Sequence, residues 1–471
     1  MKISSADPGN AISRRQVLRQ GACGLGVIAL AKLMAESCHA LPSPQNPLES
    51  KAPHFPAKAK NVIFLFMRGG PSQVDTFDYK PILSKRHEED LGGGRRYYQS
   101  PWKFSRYGEC GLPVSELFSH TGKHADDICV INSMHTDIGN HPQAILQMNT
   151  GSYLFVRPSV GSWVTYGLGT ENSNLPGFLT ISPDFSAGGA RKYGCAFLPS
   201  ATAGTAIAPY GGGDSSILPA RLKDFKIQFT DNEFLSPHEQ KSQLKFLQEI
   251  NRHRLGNDPA NETLEGIIKS FETAYRMQSE LPGLLEVEKE PEFVLRRFGV
   301  DEEPTDNFGR ACLLARRAVE AGVRFIQLNL GFWDQHKDIE IGHPKLAEQS
   351  DLPIAGLLED LKERGLLDET LVVWTGEFGR PPIYNKNNGR DHNNLGFTAW
   401  LAGAGIKGGT RHGSTDELGF KAVDGKVHLH DLHATILHLL GLDHERLTFR
   451  YGGRNFRLTD VHGKVIRDIL V

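Results

Sequence analysis

The stretch Asn61-Val-Ile-Phe-Leu-Phe-Met-Arg-Gly-Gly-Pro71 decides the fold class. It begins with an almost uninterrupted apolar run that ends at Met67, which is the pattern of a strand buried on both faces of a parallel sheet. The run stops at Arg68, and the Gly-Gly-Pro that follows is typical of a tight turn. A strand of this kind needs similar strands on both sides, so the same pattern should recur along the chain.

The apolar pattern does recur, and helical periodicity lies between several of its copies. Residues 310–321 and residues 353–364 each have the spacing of an amphipathic helix. Strands that alternate with helices predict βαβ units. We therefore expect an α/β fold in which a mostly parallel sheet is flanked by helices. The further strand runs are Ile128–Ile131, Phe178–Ile181, Val323–Leu330, Leu371–Trp374 and Phe397–Leu401.

The composition is that of a folded protein without a preference for nucleic acid. The 471 residues are 39% hydrophobic and 23% charged, which suits one large domain or two ordinary ones. Lys and Arg number 53 against 55 Asp and Glu, for a net charge of −2. Proteins that bind nucleic acid usually carry a strong basic excess, so this balance argues against that class.

The first forty residues are typical of an export signal. Arg14 and Arg15 precede a mildly apolar segment, residues 21–33, which is too short to span a bilayer. Paired arginines at this place indicate the twin-arginine translocation machinery, with cleavage after Ala40. A lipoprotein that uses Cys38 and a basic amphipathic helix are the alternatives. We expect a signal peptide at residues 1–40 and an exported protein, periplasmic or extracellular, with no stable membrane span.

The sequence after the signal predicts a linker followed by one domain with two insertions. Residues 41–60 are rich in Pro, Lys and Ala, as in a linker, and residues 61–471 contain all of the strand patterns. A polar, glycine-rich stretch at about residues 85–106 indicates a loop insertion. A charged stretch at about residues 233–300 indicates a helical insertion, with a second helix beginning near Asn261. The cysteines outside the signal are widely spaced, and both bridges and free thiols remain open.

Polar side chains collect where the predicted strands end. In an open parallel sheet, ligands bind outside the carboxyl ends of the strands. Asp, Glu and His provide the mixed oxygen and imidazole ligands that suit Zn, Mn or Fe. The joint pattern indicates a metal centre, and the alternative is an ordinary cleft of hydrogen-bonded loop residues. The residues concerned are Asp75, Asp78, His141, Asp334, His336, Glu377 and His392, with Arg68, Arg380 and Arg390 beside them.

Several of these residues belong to recognisable motifs. The motifs are Arg68-Gly-Gly-Pro-Ser-Gln-Val-Asp75-Thr-Phe-Asp78, Trp333-Asp334-Gln-His336, Gly376-Glu-Phe-Gly-Arg380-Pro, Gly389-Arg-Asp-His392 and His430-Asp-Leu-His-Ala-Thr-Ile-Leu437. Together they resemble a family of exported bacterial proteins, the domain of unknown function 1501, from about residue 55 to the C terminus. The resemblance implies an alkaline-phosphatase-like (sulfatase-like) fold. It supplies no proven substrate, because the family's own activity is not established.

The resemblance also implies up to two divalent ions, of Zn, Mn or Ca, at the strand ends. In the second of these sites, Arg68 stands where the superfamily has an Asp. Glu377-Phe378 stands where it has an Asp-His pair, so one ligand of that pair survives as Glu and the other is absent. The implied ligands are thus Asp334, His336 and His392 for the first ion, and Glu377 with Asp75 or Asp78 for the second.

The nucleophile is the larger departure from the sulfatase pattern. Sulfatases carry a Cys or Ser that becomes formylglycine, but the matching stretch here, residues 141–151, has His141 at that position. This alignment excludes formylglycine chemistry. His141 is then a ligand or a nucleophile, or metal-activated water attacks the ester, or hydrolysis has been lost. Thr76 and Ser133 are weaker candidates, because hydroxyls beside turns usually make turn hydrogen bonds.

These observations favour an exported metal-dependent hydrolase of sulfate or phosphate esters, acting on a small molecule or a polysaccharide. Arg68, Arg380 and Arg390 are candidates for binding the anionic ester oxygens bidentately, although each of them could equally brace a loop. The alternative function is that of a catalytically inactive sulfatase-like protein that binds anionic polysaccharide. A structural envelope protein is a third hypothesis, which only the export signal supports.

Overall fold

The apolar run at the start of the domain forms β1 (Asn61–Arg68), a strand in the middle of the main sheet. Its side chains alternate between two hydrophobic cores, because successive residues of a strand point to opposite faces. One core receives Val62, Phe64 and Phe66, and the other receives Ile63, Leu65 and Met67. All six side chains are buried, so β1 has the double burial that the sequence predicts.

The computed structural model describes residues 48–183, 188–208, 222–224, 235–257, 275–276 and 280–471. The predicted signal peptide, most of the predicted linker and the helix predicted near Asn261 lie outside these residues. The described strands after β1 are β2 (Asp90–Gly92), β3 (Arg95–Tyr97), β4 (Phe104–Tyr107), β5 (Leu112–Ser115), β6 (Ile128–His135), β7 (Phe178–Ile181), β8 (Thr205–Ile207), β9 (Phe325–Gly331), β10 (Thr370–Thr375), β11 (Ile383–Tyr384), β12 (Phe397–Ala402), β13 (Thr410–His412), β14 (Ser414–Thr415), β15 (Ala422–Asp424), β16 (Val427–His428), β17 (Phe449–Tyr451) and β18 (Arg454–Phe456).

The main sheet has nine strands among the described residues, in the order β13-β6-β12-β10-β1-β9-β7-β8, with β16 also paired to β6. Strand β1 is parallel to both of its neighbours, with Val62 opposite Leu371 of β10 and Phe325 of β9. Only β12 runs against the rest, because it is antiparallel to both β10 and β6. The predicted α/β class with a mostly parallel sheet is confirmed.

Helices cover both faces of this sheet. Helices α7 (Asp306–Glu320) and α8 (Ile339–Glu363) pack on the face that contains Ile63. Helices α3 (His141–Thr150), α4 (Val160–Leu168) and α9 (Leu429–Leu439) pack on the opposite face. The described helices are α1 (Gln73–Thr76), α2 (Ser119–Gly122), α3 (His141–Thr150), α4 (Val160–Leu168), α5 (Pro237–Asn257), α6 (Glu292–Arg297), α7 (Asp306–Glu320), α8 (Ile339–Glu363) and α9 (Leu429–Leu439).

Helix α8 is longer than its sequence predicts. The periodic pattern begins at Pro353, but the helix begins at Ile339 and contains both Pro344 and Pro353. Proline inside a helix removes a backbone hydrogen bond and is unfavourable. The helix is nevertheless continuous, and Leu346 and Ala347 in its first half are buried in the core. Tertiary packing therefore outweighs the local penalty here, as it does for most helices in proteins.

The stretch predicted as a loop insertion contains regular structure of its own. Strands β2 and β3 form a small three-stranded sheet with β11. The ring of Tyr98, just after β3, stacks on the ring of Tyr384 at 3.8 Å between centroids. This small sheet therefore packs against the segment that leads to His392. In the region of the predicted helical insertion, the structure describes α5 and α6. None of the described helices combines the length and the apolar character of a membrane span.

Candidate metal centre

Four side chains that could hold a metal ion meet at the carboxyl edge of the sheet. Their potential ligand atoms all lie within 4.8 Å of one another, and no second group of this kind is found among the described residues. Asp334 and His336 lie in the loop after β9, and His141 is the first residue of α3. His392 lies before β12 and not after it. Because β12 is antiparallel, the segment that precedes it is the one that reaches this edge.

The three imidazole rings converge on one carboxylate oxygen. Asp334 Oδ1 lies 3.1 Å from His141 Nε2, 3.0 Å from His336 Nε2 and 3.3 Å from His392 Nε2. The Nε2 atoms of His336 and His392 are 2.8 Å apart. The buried Nε2 of His141 is oriented so that it makes no hydrogen bond. The three nitrogen atoms and the oxygen atom therefore lie close enough together to share one ion.

The far side of each ring is fixed by an oxygen atom. His141 Nδ1 lies 2.6 Å from Glu377 Oε1, and His336 Nδ1 lies 3.0 Å from Asp391 Oδ1. His392 Nδ1 lies 2.7 Å from the carbonyl oxygen of Gly139. An oxygen acceptor beside Nδ1 favours the tautomer that carries its proton there, which leaves the lone pair on Nε2. All three rings therefore point a lone pair towards Asp334.

This arrangement fits a cation. If His336 and His392 both carry their proton on Nδ1, two lone pairs face each other at 2.8 Å, and a cation between them would remove that repulsion. The orphaned Nε2 of His141 would gain a partner in the same way. Imidazole nitrogens with one carboxylate are a donor set that Zn²⁺ uses, and Mn and Fe accept it as well. The residues present therefore fit the divalent ion that the sequence predicts.

The electrostatics of the centre also favour positive charge. Burial raises the pKa of the Asp334 carboxyl, but the close approach of the His141 and His392 rings and the charge of Arg380 hold it well below its usual value. Burial lowers the pKa of His141, but its contacts with Asp334 and Glu377 outweigh burial and raise it. Asp334 is thus a carboxylate, and the site draws a positive charge, a proton or a metal ion, to His141.

The structure places the carboxylates predicted for a second ion away from the four-residue group. Asp75 is fully buried and accepts two hydrogen bonds from Arg390, at 2.7 and 3.0 Å. Asp78 is buried beside Lys80, 3.0 Å from its Nζ. Glu377 lies behind His141 and also accepts a hydrogen bond from the backbone N–H of Gly69. Each of these carboxylates has a partner within the chain, and none of the three belongs to the four-residue group.

Two of the three arginines predicted to bind an anion are buried braces. Arg380 and Arg390 have no exposed surface. Arg390 binds Asp75 and the carbonyl oxygens of Pro381 and Tyr98. Arg380 donates to several main-chain carbonyls and to Asp334 Oδ1 at 2.7 Å. The bracing alternative therefore describes both residues, and a bound ester would not reach them.

Arg68 and His141 are not enclosed in the protein interior as Arg380 and Arg390 are. Arg68 is partly exposed at the end of β1, and its guanidinium lies 5.0 Å from the ring of Phe332. The same ring lies 5.6 Å from the ring of His141, so Phe332 contacts both Arg68 and the metal centre. Of the two roles considered for His141, the convergence of its Nε2 on Asp334 favours that of a ligand.

The weaker nucleophile candidates are committed to structural hydrogen bonds. Thr76 Oγ1 donates to the carbonyl oxygen of Ser72 at 2.9 Å, and Ser133 Oγ donates to that of Gly425 at 2.5 Å. Both residues are fully buried. Sequence reasoning missed Asp391 as the partner of His336, although its place directly before His392 in the Gly-Arg-Asp-His motif was a signal that could have revealed it.

Comparison with known families gives one match that covers most of the chain. A family model described as "Protein of unknown function (DUF1501)" matches residues 59–470. The match includes all four members of the candidate metal centre, and it confirms the resemblance seen in the motifs. No curated protein matches the chain.

Comparison with solved structures gives distant similarities. The lipoteichoic acid synthase LtaP from Listeria monocytogenes has a TM-score of 0.38 at 10% identity, covering 88% of this chain and 78% of that one. The PsFucS1 sulfatase from Pseudoalteromonas sp. has a TM-score of 0.35 at 14% identity, covering 90% and 72%. The C-terminal periplasmic domain of EcEptC from Escherichia coli, in complex with Zn, has a TM-score of 0.37 at 10% identity, covering 92% and 99%. Each of them is similar to the chain in architecture alone.

Proposed function

The chain belongs to the DUF1501 family of proteins of unknown function, and we propose that it is an exported metal-dependent hydrolase of sulfate or phosphate esters. The observation that carries the proposal is the convergence of His141, His336 and His392 on one oxygen of Asp334. The carboxyl edge of a mostly parallel sheet, where this group lies, is the place at which catalytic ligands are expected.

In this proposal the four side chains bind one divalent ion through three Nε2 atoms and Asp334 Oδ1. When bound, the ion supplies a Lewis acid for an ester oxygen and lowers the pKa of water near it. Glu377, Asp391 and the carbonyl oxygen of Gly139 hold the three rings in orientation. The rings are therefore positioned before the ion arrives, which is the usual task of such outer contacts.

The substrate would approach from the side of His336. Its side chain is 42% exposed, whereas that of His141 is 13% exposed. We assign the binding of the anionic ester oxygens to Arg68, because Arg380 and Arg390 have no exposed surface. Phe332 lies against the Arg68 guanidinium and would limit its movement.

Water is the nucleophile in this proposal. The four-residue group contains no hydroxyl or thiol, and the buried hydroxyls of Thr76 and Ser133 donate to carbonyl oxygens. Water would attack the sulfur or phosphorus atom, the bond to the ester oxygen would break, and the departing oxygen would take up a proton. No covalent intermediate with the protein forms on this route.

The test measures metal content and turnover in the same samples. The exported chain is loaded with Zn²⁺ or Mn²⁺, and nitrophenyl sulfate and nitrophenyl phosphate are offered as substrates. We expect turnover that depends on the metal, and loss of both metal and turnover in Asp334→Ala and His392→Ala. Asp424→Ala, which removes an exposed carboxylate on β15, is the matched control and should change neither quantity.

Two results would contradict the proposal. If both ligand variants keep the metal content of the unchanged chain, the ion is held elsewhere or not at all. If the metal-loaded chain hydrolyses neither a sulfate nor a phosphate ester, including polysaccharide sulfates, the assigned reaction is wrong even though the metal site stands.

One observation favours the second candidate, an inactive protein that binds anionic polysaccharide. Four protein ligands complete a tetrahedral zinc site, and catalytic zinc sites usually keep a position open for water. The absorption spectrum of the Co²⁺-loaded chain distinguishes the two cases. A tetrahedral spectrum that does not change when sulfate or phosphate is added would favour the binding protein. A spectrum that changes with the anion would favour the hydrolase.

We propose export through the twin-arginine machinery and cleavage after Ala40, with residues 61–471 as one sulfatase-like domain that carries both insertions. The paired arginines Arg14 and Arg15 support this route. Replacing both with lysine should keep the chain in the cytoplasm, and N-terminal sequencing of the exported chain should begin after Ala40. Normal export of the double-lysine variant would contradict the route.

A further inference from the structure

We propose that the centre holds a single metal ion and that Arg380 is a positioning residue whose guanidinium occupies the place of a second cation beside Asp334. The inference rests on the proposed metal site and deepens it, because it fixes the number of ions and names the group that replaces the second one. It departs from the two-ion expectation that the motif resemblance implies.

The first support is the pocket in which the guanidinium lies. It is lined by oxygen atoms and has no exposed surface. Nε donates to the carbonyl oxygen of Gly70 at 3.0 Å, and Nη1 donates to that of Arg390 at 3.1 Å. Nη2 donates to the carbonyl oxygens of Gly69 and Trp333 and to Asp334 Oδ1. Carbonyl and carboxylate oxygens are also the ligands of hard metal cations, so the chain has filled a cation pocket with its own side chain.

The second support is the shortage of ligands for another ion. Two-metal sites place their ions about 3.5–4 Å apart and need a set of anionic ligands for each of them. Among the described residues, the three carboxylates predicted for a second ion already have partners within the chain. Asp75 binds Arg390, and Asp78 binds Lys80. Glu377 contacts His141 and the N–H of Gly69. Asp334 is the carboxylate on which the three imidazoles converge, and Asp391 lies behind His336, 3.0 Å from its Nδ1.

The third support is electrostatic. Arg380 Nη2 lies 2.7 Å from Asp334 Oδ1, the same oxygen on which the three imidazoles converge. A second divalent ion sharing that oxygen would lie within a few ångströms of a fixed positive charge, in a buried place where solvent screens little. The guanidinium already supplies one positive charge to this oxygen, so the carboxylate has less negative charge left for two further ions than for one.

The same contacts explain how Arg380 positions the ligand. The guanidinium joins the turn after β1, through Gly69 and Gly70, to the loop after β9, through Trp333 and Asp334. These two segments already touch, because a Cβ at Gly69 would lie 2.4 Å from the backbone nitrogen of Trp333. Arg380 thus fixes the carboxylate in one orientation, with Oδ1 directed at the three rings.

The deciding experiment is the metal stoichiometry of the full exported chain. After equilibration with excess Zn²⁺ or Mn²⁺ and removal of unbound metal, elemental analysis should give one equivalent per chain. Two equivalents would overturn this inference and leave the proposed hydrolase intact. No bound metal would overturn the proposed metal site, and this inference with it.

A rescue experiment tests the positioning role separately. Arg380→Ala should bind Zn²⁺ at least about tenfold more weakly, which is the usual effect of losing a group that orients a ligand. Millimolar guanidinium should restore the affinity by refilling the pocket, and urea, its neutral analogue, should not. Arg380→Lys, which keeps the charge, should retain more affinity than Arg380→Ala.

Two outcomes would overturn the positioning role. One is wild-type zinc affinity in Arg380→Ala without guanidinium, and the other is equal rescue by urea and guanidinium. If Arg380→Ala does not fold without guanidinium, the zinc affinity of Arg380→Lys is compared with that of the unchanged chain. Equal affinity would then show that the hydrogen bonds of the guanidinium do not position Asp334.

Discussion

Replacing Gly69 with alanine should weaken both the fold and the metal centre. Gly69 has a φ of +106°, a conformation that residues with a Cβ atom rarely adopt. A Cβ built there would lie 2.4 Å from the backbone nitrogen of Trp333 and 2.9 Å from that of Asp334. Both contacts are with backbone atoms, so no side-chain rotation relieves them. The substitution must therefore push apart the turn after β1 and the loop that carries Asp334.

Two costs combine in this variant. Holding an L-residue at positive φ costs about 1–2 kcal/mol. Forcing an additional group into a close-packed place costs about 1–3 kcal/mol. We expect the free energy of unfolding to fall by about 3.5 kcal/mol, taking the middle of both ranges. Because Asp334 moves with its loop, zinc affinity should also fall, by about tenfold or more.

Gly92→Ala provides the matched control. Gly92 has a φ of +77°, but nothing lies within 4 Å of a Cβ built there. It should therefore show the backbone cost alone, about 1–2 kcal/mol, and no change in zinc affinity. Urea denaturation followed by tryptophan fluorescence, and zinc titration against a competing chelator, measure the two quantities. If Gly69→Ala is as stable as Gly92→Ala and binds zinc equally well, the reasoning from the close approach is refuted.

Three further predictions concern the buried charges and the ion. Asp75→Asn should lower the free energy of unfolding by about 4 kcal/mol, because it leaves the Arg390 guanidinium buried without its counter-charge. The double variant Asp75→Asn with Arg390→Leu should recover part of that loss in the same denaturation assay. Burial lowers the pKa of His433 to about 4 despite its hydrogen bond to Met148. Its folded-state pKa therefore lies below the unfolded value of 6.5, so its contribution to stability is complete above pH 6.5 and is lost as the pH falls towards 4. In His433→Gln, the free energy of unfolding should fall less between pH 6.5 and pH 5, by up to about 2 kcal/mol less than in the unchanged chain. An unchanged slope would assign the acid sensitivity to other groups. A chelator should lower the melting temperature of the metal-loaded chain, by the equivalent of about 3 kcal/mol when metal is at a hundred times its dissociation constant. Asp334→Ala should not respond to the chelator, and an equal response would place the stabilising ion elsewhere.

The strands of the main sheet could be predicted from the sequence with small errors at their ends. All six apolar runs became strands of the main sheet, and the residues of β1 alternate between the two cores as the pattern of a doubly buried strand requires. The direction of β12 could not be predicted, because side-chain periodicity is the same whichever way a strand runs. That direction matters, since it brings His392 to the edge where Asp334 lies.

The full length of α8 also could not be predicted from the sequence. Local preference rejects Pro344 and Pro353 from a helix interior, and only the burial of Leu346 and Ala347 against the core explains why the helix continues through them.

The residues available to the centre could be listed from the sequence, because metal ions bind a few donor types and parallel strands bring their carboxyl ends to one edge of the sheet. His141, Asp334, His336 and His392 could all be nominated in this way. Which of the carboxylates faces the three imidazoles follows only from the tertiary structure. Asp75 and Glu377 have the same kind of group as Asp334, but one faces Arg390 and the other lies behind His141. The pairing depends on distances of a few ångströms between segments far apart in the chain, and no local pattern encodes them.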